Sequence, residues 1–232
     1  MNENGAVIDG LEVFGCIRVR ANNVTIRNTR VHGPGCDNRN LISVGYGTYS
    51  GLLIEDVEID GHNRDSFGAA IGAAGYTCRR CNIHGVGQGA NMTGDVVVED
   101  SYIHDIYYAD GSHNEALISG GGSNIVVRGN NLEGTPTPGT SSTISLYGDF
   151  SQIRDVLVEN NLFNGGGYCV YAGSVSSKPY PVAENTRFLN NVFGSKFDAT
   201  CGWYGPVTAY QSGNGNAWSG NVWQDSGLPV NP

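Results

Sequence analysis

The chain has 232 residues, of which 35 are glycine and only 15% are charged, and its formal net charge is −9. The length fits one domain or one elongated repeat array, and the glycine content disfavours a helical protein. The negative charge disfavours nucleic acid and acidic membrane surfaces as partners, and no apolar run approaches the roughly 18 residues of a membrane-spanning helix. We therefore expect no nucleic acid and no membrane as partner, but neutral or cationic ligands or bound divalent cations.

Cysteine content and the N-terminus bear on localisation. Six cysteines in a chain with few basic residues indicate an oxidising, extracellular setting. The first residues, Met1-Asn2-Glu3-Asn4, carry no secretory signal, so we interpret the sequence as one whose leader has been removed. The protein is expected to be secreted and monomeric.

Apolar residues recur along the chain at intervals of 20 to 31 residues, which indicates an internal repeat. Five residues after each of them stands a second apolar residue, and a short polar corner separates the two. The first position is occupied by Ile26, Ile54, Cys78, Val98, Val127, Val158, Phe188 and Trp218. The second position is occupied by Val31, Ile59, Ile83, Ile103, Leu132, Phe163, Phe193 and Trp223. An earlier partial copy, Gly10-Leu11-Glu12-Val13, begins the array.

Each repeat contains a further short strand in which inward and outward residues alternate. Its inward pairs are Ile17 and Val19, Ile42 and Val44, Ile71 and Ala73, Ala90 and Met92, Leu117 and Ser119, Ile144 and Leu146, Val170 and Ala172, and Val207 and Ala209. A repeat of this length can return the chain one strand spacing, about 4.8 Å, higher. We therefore predict an all-β chain in which residues 1–232 form a single-domain right-handed parallel β-helix of about eight coils, each with two short strands.

Asparagine and aspartate fill the polar corner of most repeats. Asparagine tolerates the left-handed backbone conformation that β-branched residues avoid. The corner residues are Asn28, Asp56, Asp100, Asn130, Asn160, Asn161, Asn190, Asn191 and Asn221. Stacked coils would set these side chains one above another, so the sequence predicts a ladder of amide hydrogen bonds. The alternative is that they are ordinary turn residues that do not bond one another.

Four cysteines form two pairs with matching offsets. Cys16 and Cys169 each precede an inward residue of the further strand by one position, and Cys36 and Cys201 each precede the equivalent residue of the next coil by six. If one pair reaches disulfide geometry, the other should reach it too. We predict the disulfides Cys16–Cys36 and Cys169–Cys201.

The remaining cysteines, Cys78 and Cys81, form a CxxC segment. Cys78 occupies an inward position, which favours a structural thiol or a local disulfide. A redox site would need a group that activates the thiolate, and a zinc site would need two further ligands.

Four segments carry a family resemblance: GCIRVRANNVTIRNTRV, SGLLIEDVEIDG, YTCRRCNIHG and GSHNEALISGGGSNIVVRGN. They are similar to secreted bacterial right-handed β-helix repeat proteins of the pectate-lyase-like superfamily. The resemblance covers nearly all of the chain and implies an activity among polysaccharide lyases, glycoside hydrolases, epimerases and phage-tail glycan depolymerases. Because one fold hosts many functions, it specifies the fold far more than the activity.

The resemblance also singles out His113-Asn114-Glu115, where a strand begins at a corner. Related sequences have His-Asn-Asp-Gly-Ile-Gln at this place, so His113 and Asn114 match and Glu115 keeps the carboxyl function. His113 and Glu115 are candidates for a catalytic acid–base pair, with Asp105 and Asp110 close in sequence. The alternative is that His113 and Glu115 only hydrogen-bond the backbone of the corner.

The outward residues of the further strand are candidates for substrate binding. Exposed aromatic rings suit stacking on sugar rings, and the tyrosines come from three consecutive coils. The predicted binding residues are Tyr147, Tyr171, Tyr210, Asn91, Arg18 and Arg20. The long insertions 136–142, 174–184 and 196–206 would wall this face into a groove, unless the aromatic residues merely pack under their own loops.

A polar column lies one position past the second apolar residue of each repeat. It consists of His32, Asp60, His84, His104 and Glu133, from five consecutive coils. Equivalent residues stack about 4.8 Å apart, so His84 and His104 with the flanking Asp60 and Glu133 form a candidate site for a divalent metal. A ladder of hydrogen bonds in solvent is the alternative. The acidic composition also permits Ca²⁺ as a cofactor.

These patterns favour a secreted carbohydrate-active protein whose partner is a polysaccharide or oligosaccharide. We expect lyase or glycoside hydrolase chemistry in a groove on one sheet face. A non-catalytic glycan-binding or structural module of a larger secreted or phage-tail protein is the alternative, because no lyase or hydrolase signature is complete in the sequence.

Overall fold

A computed structural model describes residues 1–36, 39–44, 48–65, 67–136 and 141–232. These residues form 26 short β-strands and no helix. The strands are β1 (Val7–Asp9), β2 (Glu12–Phe14), β3 (Ile17–Val19), β4 (Thr25–Arg27), β5 (Arg30–His32), β6 (Ile42–Val44), β7 (Leu52–Glu55), β8 (Glu58–Asp60), β9 (Ala69–Gly72), β10 (Ala74–Arg79), β11 (Asn82–His84), β12 (Gln88–Asn91), β13 (Gly94–Glu99), β14 (Tyr102–Ile103), β15 (Glu115–Ser119), β16 (Ile125–Arg128), β17 (Asn131–Glu133), β18 (Ser142–Leu146), β19 (Arg154–Glu159), β20 (Leu162–Asn164), β21 (Tyr168–Ala172), β22 (Glu184–Leu189), β23 (Val192–Phe193), β24 (Gly205–Thr208), β25 (Ala217–Ser219) and β26 (Val222–Trp223). Within the described residues there is consequently no helix that could span a membrane.

The strands form three parallel sheets that run along the array. Sheet A has the order β1-β4-β7-β10-β13-β16-β19-β22-β25, and sheet B the order β2-β5-β8-β11-β14-β17-β20-β23-β26. Sheet C has the order β3-β6-β9-β12-β15-β18-β21-β24. Successive strands along the chain belong to sheets A, B and C in turn. They form eight coils of three strands each and a last coil of two strands. The predicted parallel β-helix of about eight coils is confirmed, and its right-handed sense stays a prediction.

Each coil has three strands, not the predicted two, because the polar corner divides the first segment between sheets A and B. The corner residues Asn28 and Asp56 have φ angles of 48° and 54°. This left-handed conformation turns the chain sharply, so Ile26 lies on β4 in sheet A and Val31 on β5 in sheet B.

The predicted inward positions are in register and form the core. Ile54 pairs with Ile26 in one neighbouring coil and with Cys78 in the other, and all three are fully buried. Burial of an aliphatic side chain of this size contributes about 1.5 to 3 kcal/mol. In the last coil Trp218 and Trp223 are half-buried and pack against the end of the core. The core therefore depends on contacts between coils.

Four of the predicted corner residues form a buried amide ladder. Asn130 Nδ2 donates to Asn161 Oδ1 at 2.9 Å, Asn161 Nδ2 to Asn191 Oδ1 at 3.0 Å, and Asn191 Nδ2 to Asn221 Oδ1 at 2.9 Å. Each of these amides also donates to a backbone carbonyl of a neighbouring coil, so these buried polar groups are satisfied. The other predicted members lie one position earlier in their coils and hold the left-handed conformation: Asn28, Asp56, Asp100, Asn160 and Asn190.

Both predicted disulfides are confirmed. Cys16 is bonded to Cys36 with the Cα atoms 5.5 Å apart, and Cys169 is bonded to Cys201 with the Cα atoms 6.0 Å apart. The CxxC segment is a third, local disulfide, with a Cα–Cα separation of 6.4 Å between its two cysteines.

Thiol titration in denaturant is expected to find no free thiol before reduction and six after it, because every cysteine is paired. Peptide mapping without reductant should recover Cys16 with Cys36 and Cys169 with Cys201. A free thiol in either pair, or a peptide joining Cys16 to Cys169, would contradict this arrangement.

Candidate functional site

The outer face of sheet C carries a row of residues that are in register across five coils. They are Asn91, Ile118, Ser145, Tyr171 and Thr208. Neighbouring members are separated by one strand spacing, about 4.8 Å. The row therefore follows the axis of the β-helix and crosses the strands.

Glu115 lies at the beginning of β15, where the strands of sheet C depart from regular alternation. Glu115 pairs with Ser142, and the next registered pair is Leu117 with Ile144. Ala116 and Leu117 both belong to the core, although they are consecutive in the strand. Two consecutive core residues break the strict alternation of a strand, and this break leaves Glu115 on the outer side.

The neighbours of Glu115 agree with this placement. The Ser142 hydroxyl bonds the Ser145 hydroxyl, and the Ser145 hydroxyl donates to Tyr147 Oη at 3.1 Å. Burial raises the pKa of Tyr147 and of Tyr171, and the negative charge of Glu115 raises the pKa of both hydroxyls further. The carboxyl group thus lies beside the tyrosine face of sheet C.

Glu115 is fully buried, and neither of its carboxyl oxygens has a hydrogen-bond partner of good geometry among the described residues. Loss of solvation raises the pKa of this carboxyl to about 7, although the nearby Ser141 hydroxyl and Gln88 amide act in the opposite direction. A buried carboxyl without partners is costly when it is ionised. Glu115 therefore exchanges its proton near neutral pH.

His113 is close to Glu115 but does not bond it directly. The His113 ring is exposed, and its Nδ1 lies 3.1 Å from Ser141 Oγ. Since Ser141 also lies beside the Glu115 carboxyl, the serine hydroxyl stands between the predicted acid–base pair. The structure brings the two residues together in one site, with Ser141 as the link.

A cluster of tyrosine rings covers the face next to Glu115. The ring centroids of Tyr147 and Tyr171 are 5.3 Å apart, those of Tyr171 and Tyr168 are 5.7 Å apart, and those of Tyr168 and Tyr204 are 5.8 Å apart. These four residues are the tyrosine cluster. Tyr204 is 61% exposed, so the cluster ends in a ring that is open to a ligand.

Two of the three long insertions that were predicted to flank the groove border the tyrosine cluster. From the insertion 174–184, Lys178 Nζ lies 4.8 Å from the Tyr147 ring centroid and 2.8 Å from Asp149 Oδ1. From the insertion 196–206, the Tyr204 backbone N–H donates to the Gly167 carbonyl at 2.7 Å. The third insertion, 136–142, falls largely outside the described residues. These two insertions lie at opposite ends of β21, and we call the strip of sheet C between them, which follows the row, the groove.

Phe150 adds a further exposed aromatic ring beside the row, next to the end of β15. Its ring packs over Gly120 and is 84% exposed. Together with Asn91, Thr93 and Gly120 it lines a cavity of about 270 Å³. The predicted binding residue Asn91 is thus part of a concave surface.

The structure does not bring the remaining predicted binding residues into this site. Tyr210 packs edge-on against Trp218, with ring centroids 5.7 Å apart, at the end of the core. Arg18 and Arg20 belong to the first coil, and β3 is six strands away from β21 in sheet C. Six spacings correspond to about 29 Å, so these arginines can contact only a ligand that extends along most of the array.

Asp105 and Asp110 also lie apart from Glu115. Asp105 is exposed and accepts a 2.8 Å hydrogen bond from His104 Nδ1, on the side of sheet B. Asp110 is exposed and accepts from the Tyr108 hydroxyl at 3.4 Å. Neither carboxylate forms a hydrogen bond or ion pair with the described part of the Glu115 site.

The predicted metal column exists, but only its middle has converging ligand atoms. Glu58, Asp60 and His84 offer ligand atoms that all lie within 4.8 Å of one another. Glu133 is bound by Lys196, whose Nζ is 2.7 Å from both carboxylate oxygens. His104 bonds Asp105 and, at 2.9 Å, the Asn82 side chain. His104 and Glu133 are therefore engaged elsewhere.

Several residues of the sites were missed by the sequence analysis. Tyr168 stands before the break in strand alternation, so alternation does not assign its face, and Tyr204 and Phe150 lie outside regular strands. Glu58 could have been found, because it stands two positions before Asp60 on one short strand and alternation puts both on the same face.

Comparisons with known proteins found no matching family model, no similar curated protein and no similar solved structure.

Proposed function

We propose that this protein is a secreted carbohydrate-active protein that binds an oligosaccharide along the groove of sheet C and cleaves it with Glu115 as the proton-transferring group. The observation that carries the proposal is the buried Glu115 carboxyl, whose pKa is raised to about 7 by loss of solvation, beside a cluster of tyrosine rings. Groups with perturbed pKa values in a cleft are typical of catalytic sites.

The chemistry needs a group that is protonated and ionised to comparable extents near neutral pH. Glu115 meets this condition, and because its carboxyl is fully buried it would exchange protons with a glycosidic oxygen or a sugar carbon through the Ser141 hydroxyl and the exposed His113 ring. His113, linked through Ser141, supplies a second titratable group at the exposed edge of the site. Either a hydrolase or a lyase uses this type of proton transfer.

The aromatic residues support a sugar as ligand. Tyrosine rings offer flat apolar faces for sugar rings and hydroxyl groups for hydrogen bonds. Phe150 and Tyr204 are 84% and 61% exposed, beside the end of β15 and the beginning of β21. An extended ligand on the row would contact both, which suits a chain of sugars better than a single small molecule.

A non-catalytic glycan-binding module is the second candidate, because the aromatic groove suffices for binding without any proton transfer. The enzyme and the binding module can be distinguished with a panel of polysaccharides. For each polysaccharide, binding, the release of reducing ends and the formation of unsaturated products are measured together. We expect binding and product with at least one glycan. Binding without product would favour the module, and the absence of binding to every glycan would contradict both.

Tyr171→Ala is expected to weaken glycan binding by about 1 kcal/mol, roughly fivefold in Kd, because it removes the central ring of the tyrosine cluster. Titration of the glycan by calorimetry measures the change. Phe14→Ala is the matched control, since Phe14 is 68% exposed but lies in the first coil on sheet B. Equal losses in both variants would show that the ligand does not use the groove.

A further inference from the structure

Four of the five histidines gather on the outer side of sheet B, far from the groove of sheet C. His32 Nδ1 lies 3.0 Å from His62 Nε2, and the rings of His84 and His104 stack with centroids 5.2 Å apart. We call this the histidine face. Nothing in the proposed function uses it.

At the centre of the histidine face, the strand register brings acidic and histidine side chains from three neighbouring strands together. Glu58 and Asp60 stand two positions apart on β8, so both side chains leave the same face of the sheet. In the neighbouring coils Asp60 is flanked by His32 on β5 and by His84 on β11. Parallel pairing therefore places two carboxylates and two imidazoles on adjoining strands.

The ligand atoms are already close to the spacing that a bound metal requires. Glu58 Oε1 lies 3.3 Å from His84 Nε2, and Asp60 Oδ1 lies 3.7 Å from His84 Nδ1. Ligand atoms held tetrahedrally at about 2.0 to 2.2 Å from Zn²⁺ lie about 3.3 to 3.6 Å from one another. The two carboxylates approach different nitrogens of the His84 ring, but one ligand atom from each of the three residues lies within 4.8 Å of the other two. Rotation of the ring or of one carboxylate would point one imidazole nitrogen and both carboxylates at a common centre.

The local charge balance matches a divalent cation. Arg30 is the one cation that the described residues place here, and it contacts Glu12 at 3.4 Å, Glu58 at 3.3 Å and Asp60 at 3.1 Å. Three carboxylates against one guanidinium leave a formal charge of −2 when the histidines are neutral. A divalent ion would neutralise it.

The Asp60 carboxylate is held in place by neighbouring groups. Arg30 Nη2 lies 3.1 Å from Asp60 Oδ2. The His62 backbone N–H donates to Asp60 Oδ1 at 2.8 Å, which fixes the orientation of the carboxylate. This kind of support from a neighbouring group holds metal ligands in place.

We propose that Glu58, Asp60 and His84 bind one first-row divalent metal ion of the zinc class. Imidazole together with carboxylates suits Zn²⁺ and its neighbours in the series, whereas Ca²⁺ takes oxygen ligands. The ion would join β8 to β11 and so tie together two adjacent coils. This site lies on sheet B and is independent of glycan binding on sheet C.

Equilibrium dialysis of the chelator-treated protein against Zn²⁺ tests the proposal. We expect one Zn²⁺ per chain at neutral pH, a rise in Tm on loading, and no displacement by an equal concentration of Ca²⁺. Affinity should fall as the pH drops through the histidine range, because a ligating imidazole must be deprotonated. Failure to bind a stoichiometric amount, or equal binding of Ca²⁺, would overturn the proposal.

Two variants and a matched control locate the ion. His84→Gln and Asp60→Asn should each weaken Zn²⁺ binding at least about tenfold, whereas His113→Gln, which removes the one histidine outside the face, should not. Because Asp60 also accepts the His62 backbone hydrogen bond, unfolding in chelator checks that Asp60→Asn is folded. The His84 side chain is 23% exposed, so His84→Gln is expected to disturb folding less than Asp60→Asn and is the more direct test of the site. Unchanged affinity in His84→Gln, or an equal loss in His113→Gln, would refute the site.

Discussion

Glu115→Gln is expected to abolish glycan cleavage and, in the same protein, to raise the free energy of unfolding by about 3 kcal/mol at about pH 8. Glutamine has nearly the shape of the protonated carboxyl, but it neither donates an acidic proton nor ionises. Burial holds the pKa of Glu115 at about 7, against an ordinary value of 4.5. Each pKa unit corresponds to about 1.4 kcal/mol.

The pKa of Glu115 determines at which pH the variant is more stable than the parent. The folded protein keeps the Glu115 proton up to about pH 7, whereas the unfolded chain loses it near pH 4.5. Between pH 4.5 and about pH 7 the folded state binds more protons than the unfolded state, so the free energy of unfolding falls as the pH rises. Above about pH 7 the parent protein bears the full cost of ionising the buried carboxyl. Urea unfolding should therefore show the variant equal to the parent at about pH 4 and more stable at about pH 8.

Glu133→Gln is the matched control, because Glu133 is also a buried glutamate but has partners. Lys196 Nζ bonds both of its oxygens at 2.7 Å, and the Tyr102 hydroxyl donates to it at 3.2 Å. Its replacement should lower stability at about pH 8, opposite to Glu115→Gln. If Glu115→Gln also destabilises there, the Glu115 carboxylate is an ionised brace of the corner and the proposed catalytic role fails.

Asn161→Leu is expected to lower the free energy of unfolding by about 4 kcal/mol. Its amide donates to the Val127 carbonyl and to Asn191 Oδ1, both at 3.0 Å. Its Oδ1 accepts from the backbone N–H of Asn130 and from Asn130 Nδ2. Leucine removes all four hydrogen bonds, and the Asn130 backbone N–H loses its side-chain acceptor. A buried polar group without a partner costs about 1 to 3 kcal/mol, and each further lost hydrogen bond adds to the destabilisation.

Asn160→Gly is the control for the ladder, because Asn160 is the adjacent residue in the same corner. Asn160 is exposed and has a φ angle of 56°, a conformation that glycine adopts without strain. Chemical denaturation should show a change of only a few tenths of a kcal/mol for this variant. Comparable losses at both positions would mean that the corner conformation, and not the amide ladder, carries the stability.

The register of the coils could be predicted from the sequence because a β-helix repeats one local pattern. Ile26 and Ile54 are 28 residues apart, and the structure pairs them directly. Asn161 and Asn191 are 30 residues apart and bond each other. In such an array each coil contacts its neighbours, so spacing along the chain translates into contact in space. The same reasoning predicted the two long-range disulfides.

The candidate site could be predicted only in part, because strand alternation breaks at Ala116. Alternation counted from Leu117 would turn Glu115 inward, yet Ala116 and Leu117 both lie in the core and Glu115 lies on the outer face. Tyr210 was predicted to face the groove because it alternates with the inward residues Val207 and Ala209, but it packs on Trp218 at the end of the core. Lys178, which approaches Tyr147, belongs to an insertion whose path no periodicity defines.

Patterns that recur from coil to coil were enough to predict the parallel coil, its inward residues, the amide ladder and the bridges Cys16–Cys36 and Cys169–Cys201. The structure was needed to show that the Glu115 carboxyl is fully buried and that Glu58 lies beside Asp60 and His84. Burial and convergence depend on which side chains from different coils and loops meet around one point. Those contacts are not periodic, so no spacing along the chain encodes them.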